Sequence, residues 1–377
     1  MPEPRQPDHD YRDALASGPV RGRGSNLNPG NRFETIRLHV LGEHLDEIIA
    51  ENPDGTQVRT TILPDRTRSV INPVDSPDLP MKWTINPYRG CEHGCIYCYA
   101  RPGHEYLGMS SGLDFETRIM AKLDAPEILR RELARPSWSG EPIVLSGVTD
   151  PYQPIESKLG LTRRILEICV EHFQPLAFIT KSSLILRDLD LLDRLRERQA
   201  VRVSVSLTTL DPALAAAMEP RAASPAGRLR TIETLARAGI PVNVMTAPII
   251  PAINDREIPA LLRAARDAGA TSAAWVLLRL PHQIKALFLE WLARHVPDRA
   301  AHVESLIRQT RDGDLYTSEF FDRRRGTGPI AEQIAQTFRV FARRYRLDRG
   351  GSPLNSSAFR RPDDLFDSAR PDQLRLF

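Results

Sequence analysis

Cysteine is scarce in this chain, with four among 377 residues. So few cannot form the dense disulfide framework of a small secreted domain. No run approaches the roughly 18 apolar residues of a membrane span. The opening Met1-Pro2-Glu3-Pro4-Arg5-Gln6 lacks the apolar centre of an export signal. The expectation is a cytoplasmic protein with reduced thiols and no membrane contact. Aromatic residues amount to only 6%, and lysine is rare. Almost all of the 51 basic side chains are arginine, against 48 acidic ones, for a net charge of +3. Arginine favours planar contacts with phosphate and carboxylate, although a GC-rich coding sequence produces the same bias. The remaining composition, 41% hydrophobic and 26% charged, suits one large α/β domain with extensions.

Three of the four cysteines fall within Cys91-Glu92-His93-Gly94-Cys95-Ile96-Tyr97-Cys98, at C-x3-C-x2-C spacing. Iron–sulfur cages take cysteine thiolates one per iron, so this loop can hold three irons of a [4Fe–4S] cluster. No fourth ligand follows nearby, which leaves one iron open. An open iron on a low-potential cluster is what reductive cleavage of S-adenosylmethionine (SAM) to a 5′-deoxyadenosyl radical requires. The loop resembles the cluster loop of the radical-SAM superfamily, including the aromatic Tyr97 before the third cysteine. His93 is too close in sequence to its flanking ligands to serve as a fourth.

Residues 1–33, rich in Pro, Gly and Arg, read as a disordered basic arm, with Arg21-Gly22-Arg23-Gly24 suited to a phosphate backbone. Residues 34–80 read as a small β-rich lead-in, with runs at Thr35–Leu41 and Gln57–Leu63. From residue 81 to 298 strand-like and helix-like periodicities alternate. Strands are expected at Lys82–Ile85, Pro142–Leu145, Leu176–Thr180, Val201–Leu207, Val242–Ala247 and Ala273–Leu280. Helices are expected at Ala125–Ala134, Thr162–His172, Leu189–Arg198, Arg228–Ala238, Ile258–Ala268 and Ile284–His295. Six such units imply a parallel sheet curled into a partial, TIM-like (β/α)6 barrel, an α/β fold. Sites in such barrels gather at the C-terminal strand ends, and the cysteine loop follows the first strand. Residues 299–349 read as a helical extension, and 350–377 as a disordered polar tail.

SAM needs donors for its carboxylate, acceptors for its amino group and ribose, and a slot for adenine. Strand ends offer Gly147 for close backbone approach, Thr149 and Asp150 for the amino group, and Lys181 for the carboxylate. Ser204 and Ser206 share one strand face and can meet ribose or carboxylate oxygens. Ala247-Pro248-Ile249-Ile250-Pro251 is a rigid apolar turn suited to adenine. Together with Glu219-Pro220-Arg221, these motifs resemble the spore photoproduct lyase branch of radical-SAM proteins over roughly residues 80–280. The resemblance implies SAM contacts from Tyr97, Ala100, Thr149, Asp150, Lys181 and Ser206, and an electron donor such as flavodoxin or ferredoxin. That branch returns hydrogen from a cysteine whose position here is Val148, so dimer reversal by the same route is not expected. Cys169 reads as packing. Tyr99, Tyr106 or Tyr152 could relay hydrogen instead, and nothing in the sequence selects one; the catalytic residues stay unassigned.

His282, after the sixth strand, is a candidate substrate contact. The chain finishes Gln373-Leu374-Arg375-Leu376-Phe377, which resembles the peptide that bacterial repair enzymes insert into the DNA sliding clamp. Gln373, Leu374, Leu376 and Phe377 would be its anchors. The arginines at 343, 344, 346, 349, 360 and 361 could help hold a polyanion. The expected function is a radical-SAM enzyme acting on nucleic acid, or else on a peptide or small metabolite. A non-enzymatic module, with zinc on the three cysteines and His104, is the contrasting reading, disfavoured because structural zinc usually draws ligands as spaced pairs. A barrel that has lost its chemistry is the third.

Overall fold

Apolar residues alternating at period two produce strands with one face on the helices and one on the lumen. In the computed structural model, which describes residues 11–12, 20–33, 40–41, 57–351 and 353–361, six parallel strands lie side by side in chain order. They are β1 (Trp83–Ile85), β2 (Ile143–Leu145), β3 (Leu176–Thr180), β4 (Val201–Ser206), β5 (Val242–Ile249) and β6 (Ser272–Leu277). The crossover helices are α1 (Ala125–Leu133), α2 (Leu161–Glu171), α3 (Leu189–Arg196), α4 (Pro225–Arg237) and α5 (Ile258–Asp267). Gly239 and Gly269 end two of them in left-handed geometry, as expected. Among the described residues β1 and β6 do not pair; Asn72–Pro73 borders β1 instead. The sheet is therefore an open, partial barrel.

Val201, Val203 and Val205 of β4 pack against the helices with Ile232 and Leu235 of α4. The opposite, lumen-facing side carries Ser204 and Ser206, in register with Ile179, Asn243 and Met245. A second apolar cluster joins Cys95, Ile96 and Tyr97 to Met218, Ile250, α6 (Ile284–His295) and α7 (Ala300–Gln309). These helices cover one flank of the cysteine loop. Helix α8 (Gly328–Arg344) packs behind β6, where Phe338 meets Trp275 at 6.0 Å. Among the described residues no helix is long and apolar enough to cross a membrane.

Two expectations of disorder are corrected. Residues 20–33 are packed, because Arg23 is buried and donates to the carbonyls of Glu116 (2.7 Å) and Val58 (2.9 Å). Arg23 is thus unavailable to a phosphate backbone, whereas Arg21 is exposed. Residues 353–361 run under the N-terminal strand ends, where the amides of Asn355 and Arg360 donate to Gln199 (3.0 Å) and His172 (2.8 Å). Arg360 and Arg361 donate to backbone carbonyls there. Most of the Thr35–Leu41 run and the clamp-like Gln373, Leu374, Leu376 and Phe377 lie outside the described residues.

Candidate active site

The cysteine loop leaves β1 through Tyr88–Arg89, which pairs antiparallel with Arg118–Ala121. The Cys91 amide donates to Phe115 (2.9 Å), the Ile96 amide to Met218 (3.0 Å) and the Cys98 amide to Cys95 (3.2 Å). Gly94 turns at φ +67°, and a Cβ there would sit 2.7 Å from Glu116 Oε2. No larger residue fits. Arg101, fully buried, crosses beneath the loop. Its guanidinium donates to the Cys95 carbonyl at 3.1 and 2.9 Å, to Ser111 and Gly112, and to Glu116 at 2.5 Å. Glu116 also accepts the amides of Gly24 (2.9 Å) and Ser25 (3.0 Å), so the segment 20–33 and the loop share one carboxylate.

All three thiols are free; Cys91 and Cys95 are buried and Cys98 is half-buried. Burial pushes the Cys91 thiol up, and pushes Cys95 to about 12. Among the described residues no three His, Cys, Asp or Glu side chains converge on a single ion. His104 is also committed elsewhere, its Nε2 lying 2.9 Å from the Arg118 carbonyl and its ring against Phe115.

Asp150, expected to take the SAM amino group, has protein partners instead. It accepts from Thr180 Oγ1 (2.7 Å) and from the amides of Lys181 (2.7 Å) and Tyr152 (2.9 Å), and it lies 3.3 Å from His93 Nδ1. Thr149 Oγ1 donates to the Gly90 carbonyl (2.8 Å) and accepts from Gln153 (3.0 Å). Both residues brace the cysteine loop against β2 and β3. Ser204 accepts from Asn243 (3.2 Å), which in turn accepts from Ser272 (3.1 Å), forming a polar ladder across the lumen. Ser206 is buried beside it. Ala100 is buried at the start of the turn Arg101–Leu107. Gly147 adopts φ +133° and accepts from Tyr99 Oη (2.6 Å); a Cβ there would meet only ordinary contacts, so protein crowding does not require glycine. Ile249 and Ile250 are buried in the cores, so only the Ala247 end of that turn borders the lumen.

Lys181 differs from these. Its Nζ lies 5.8 Å from the Tyr97 ring centroid, and among the described residues this ammonium makes no hydrogen bond. Burial alone would lower this amine, but Cys95 and Glu219 outweigh it and hold it above its ordinary value. Beneath it, buried Glu219 accepts from Tyr97 Oη, Arg228 and Thr208 Oγ1 (2.9 Å). Burial opposes ionisation of Glu219, yet Arg228 and Lys181 keep its carboxyl below the usual range.

Of the three tyrosines considered for hydrogen relay, only Tyr99 reaches the mouth, 50% exposed near Val148 at 46%. Tyr152 is buried in the core, and Tyr106 lies tilted against Phe33, ring centroids 5.1 Å apart, away from the lumen. His282 is exposed, and burial followed by Arg32 lowers its pKa; it sits with the 20–33 segment. Sequence reasoning missed Arg101, Glu116 and Arg228, whose only local signal is a charge within an apolar neighbourhood.

A family model described as the Radical SAM superfamily matches residues 85–265. An uncharacterized protein of Mycobacterium tuberculosis is 37% identical over 245 residues, 64% of this chain and 72% of that one. The Radical SAM Nalpha-GlyT isomerase of Pseudomonas phage M6 is 30% identical over 169 residues, 44% of this chain and 33% of the phage protein. Among solved structures, a cysteine-to-serine variant of spore photoproduct lyase superposes with TM-score 0.51 at 18% identity, covering 81% of this chain and 92% of that one. At that identity the likeness is one of fold.

Proposed function

Because the chain belongs to the radical SAM superfamily, we propose that Cys91, Cys95 and Cys98 hold a [4Fe–4S] cluster, that Lys181 pairs with the carboxylate of SAM, and that the substrate is a nucleic acid. The observation that carries this reading is the unbonded Lys181 ammonium beside Cys95 and above Tyr97. Once bound, cluster and SAM supply a 5′-deoxyadenosyl radical that abstracts hydrogen. The protein's part is placement. Lys181 fixes the methionine end, Glu219 and Arg228 hold Tyr97 and the charge balance beneath it, and Ser206 offers a hydroxyl to the ligand. Asp150 and Thr149 keep the cysteine loop registered on β2 and β3, while α6 and α7 exclude water from the Cys95 flank. A flavodoxin- or ferredoxin-type partner delivers the electron. The nucleic-acid part rests on the open mouth, where exposed Tyr99 and Val148 stand among arginines.

The test is anaerobic reconstitution with iron and sulfide, followed by dithionite and SAM. Brown protein should release 5′-deoxyadenosine, and DNA or RNA should raise the rate. An intact cluster that never yields the nucleoside refutes the enzymatic reading. A rate raised by peptides or metabolites and indifferent to nucleic acid refutes the substrate.

A further inference from the structure

Three guanidinium groups repel one another beside the barrel mouth, and nearby Asp78, Asp312 and Asp322 form no ion pair with any of them. Arg279 follows β6, Arg311 follows α7, and Arg324 lies in the short helix Asp322–Arg325. Arg311 is 3% exposed, and its Nη atoms donate only to backbone carbonyls: Thr310 and Asp322 at 3.1 Å, Leu278 at 2.8 Å and Arg323 at 3.3 Å. Its Nε is buried with no partner, as is Nε of Arg279. Arg324 donates to the Asp78 carbonyl. The neighbouring Arg323, by contrast, is neutralised by Asp78 through bonds of 2.7 and 2.6 Å. Among the described residues no ion pair serves Arg279, Arg311 or Arg324.

Such grouping is unfavourable by itself, since buried charge is costly unless paired. Burial and then Arg279 push Arg311 down to about 10. Burial lowers Arg324 as well, with Arg279 adding to the effect against the opposing pull of Asp78. Asp312 and Asp322 beside Arg311, and Asp78 beside Arg324, pull the other way without pairing, so what the cluster lacks is an anion bonded to it. Its location is also informative. Arg279 lies over the ring of Tyr99 at 5.1 Å, and Tyr99 directly follows Cys98 and bonds Gly147 at the mouth. Arg323 in turn lies over one face of the Phe320 ring at 4.6 Å, and Phe320 is 47% exposed. Guanidinium groups alternating with exposed aromatic faces form the pattern that tracks a single strand, charges on phosphates and rings under bases.

We infer that Arg279 and Arg324, backed by Arg311, anchor a backbone phosphate of a single-stranded nucleic acid at the barrel mouth, with Tyr99 and Phe320 as stacking faces. This deepens, and rests on, the nucleic-acid reading above.

The test is fluorescence anisotropy of cluster-loaded protein with a labelled single-stranded DNA oligonucleotide, titrated across salt concentrations. Each phosphate contact contributes about 0.7 to the slope of log affinity against log salt for single strands. The double variant Arg279→Gln/Arg324→Gln should flatten the slope by about 0.7, each single glutamine variant should weaken binding, and Arg279→Lys should keep the wild-type slope. Melting temperatures near wild type separate lost contacts from misfolding, and glutamine keeps most of the volume. If wild type binds while the glutamine variants retain its slope and affinity, the anchor is wrong and the nucleic-acid reading stands. If wild type, releasing 5′-deoxyadenosine normally, binds neither DNA nor RNA, both fail. Displacement of the oligonucleotide by a polyglutamate peptide of equal charge overturns the anchor in favour of an acidic protein partner.

Discussion

Replacing Lys181 by methionine tests the candidate site most directly. The thioether keeps much of the stem's volume over the Tyr97 ring and removes the ammonium. Without ligand, Glu219 loses the nearby Lys181 charge but keeps Arg228, Thr208 and Tyr97 as hydrogen-bond partners, and Asp150 is bonded to the backbone amide of Lys181 rather than its side chain. Stability should therefore change by about 1 kcal/mol or less, within the range of substitutions that break no buried pair. With SAM the balance differs. A charge-assisted contact to the methionine carboxylate contributes about 1.5–3 kcal/mol, so the dissociation constant should rise roughly ten- to hundredfold. Equilibrium dialysis of SAM against reconstituted protein measures this, alongside iron and sulfide content and a thermal melt. Decarboxylated SAM supplies the control, because it should bind wild type and Lys181→Met alike. Unchanged SAM affinity with the cluster intact would refute the reasoning. A variant that loses iron instead would place Lys181 among the supports of the cluster.

Other consequences follow from packing and charge. Hydrogen bonds from Arg323, outweighing burial, hold the Asp78 carboxyl well below the usual range. Its folded-state pKa is depressed, so the stabilisation is fully present above the ordinary carboxyl pKa of about 4 and is lost as pH falls below it. Asp78→Asn should cost about 2 kcal/mol at pH 7, and the gap in melting temperature should narrow by pH 3.5; an equal gap at both would contradict the ion-pair account. A Cβ on Gly24 would lie 1.8 Å from the Gly94 carbonyl oxygen. Gly24→Ala should therefore lift residues 20–33 off the cysteine loop, costing about 1–3 kcal/mol, reducing iron per chain and exposing Arg23 to trypsin. Wild-type iron content and protease resistance would argue against that coupling. Deleting Gln373–Phe377 should abolish capture by an immobilised sliding clamp and leave 5′-deoxyadenosine formation intact; equal capture by the truncated chain would remove the clamp proposal.

Much of the scaffold was legible because it depends on neighbours along the chain. Alternation at Val201, Val203 and Val205 marks a strand wherever it is placed, and Gly239 and Gly269 end helices through backbone freedom alone. The C-x3-C-x2-C loop is likewise local, since its ligands lie within eight positions. Arg101 was not legible: it is recognisable as a brace only once Glu116 and the carbonyls of Ser111 and Gly112 surround it. The tail shows the reverse error. Polar composition at 353–361 reads as disorder, yet the amides find acceptors at the barrel base.

Strand order, helix placement and the position of the cysteine loop after β1 were thus determined by sequence alone, through periodicity, punctuation and spacing. Tertiary structure decided which charges met. It directed Asp150 to His93, Thr180 and the Lys181 amide, left the Lys181 ammonium without a hydrogen bond, and gathered Arg279, Arg311 and Arg324 on one rim. Electrostatic partnership acts through space and falls with distance and screening, so no pattern along the chain encodes it.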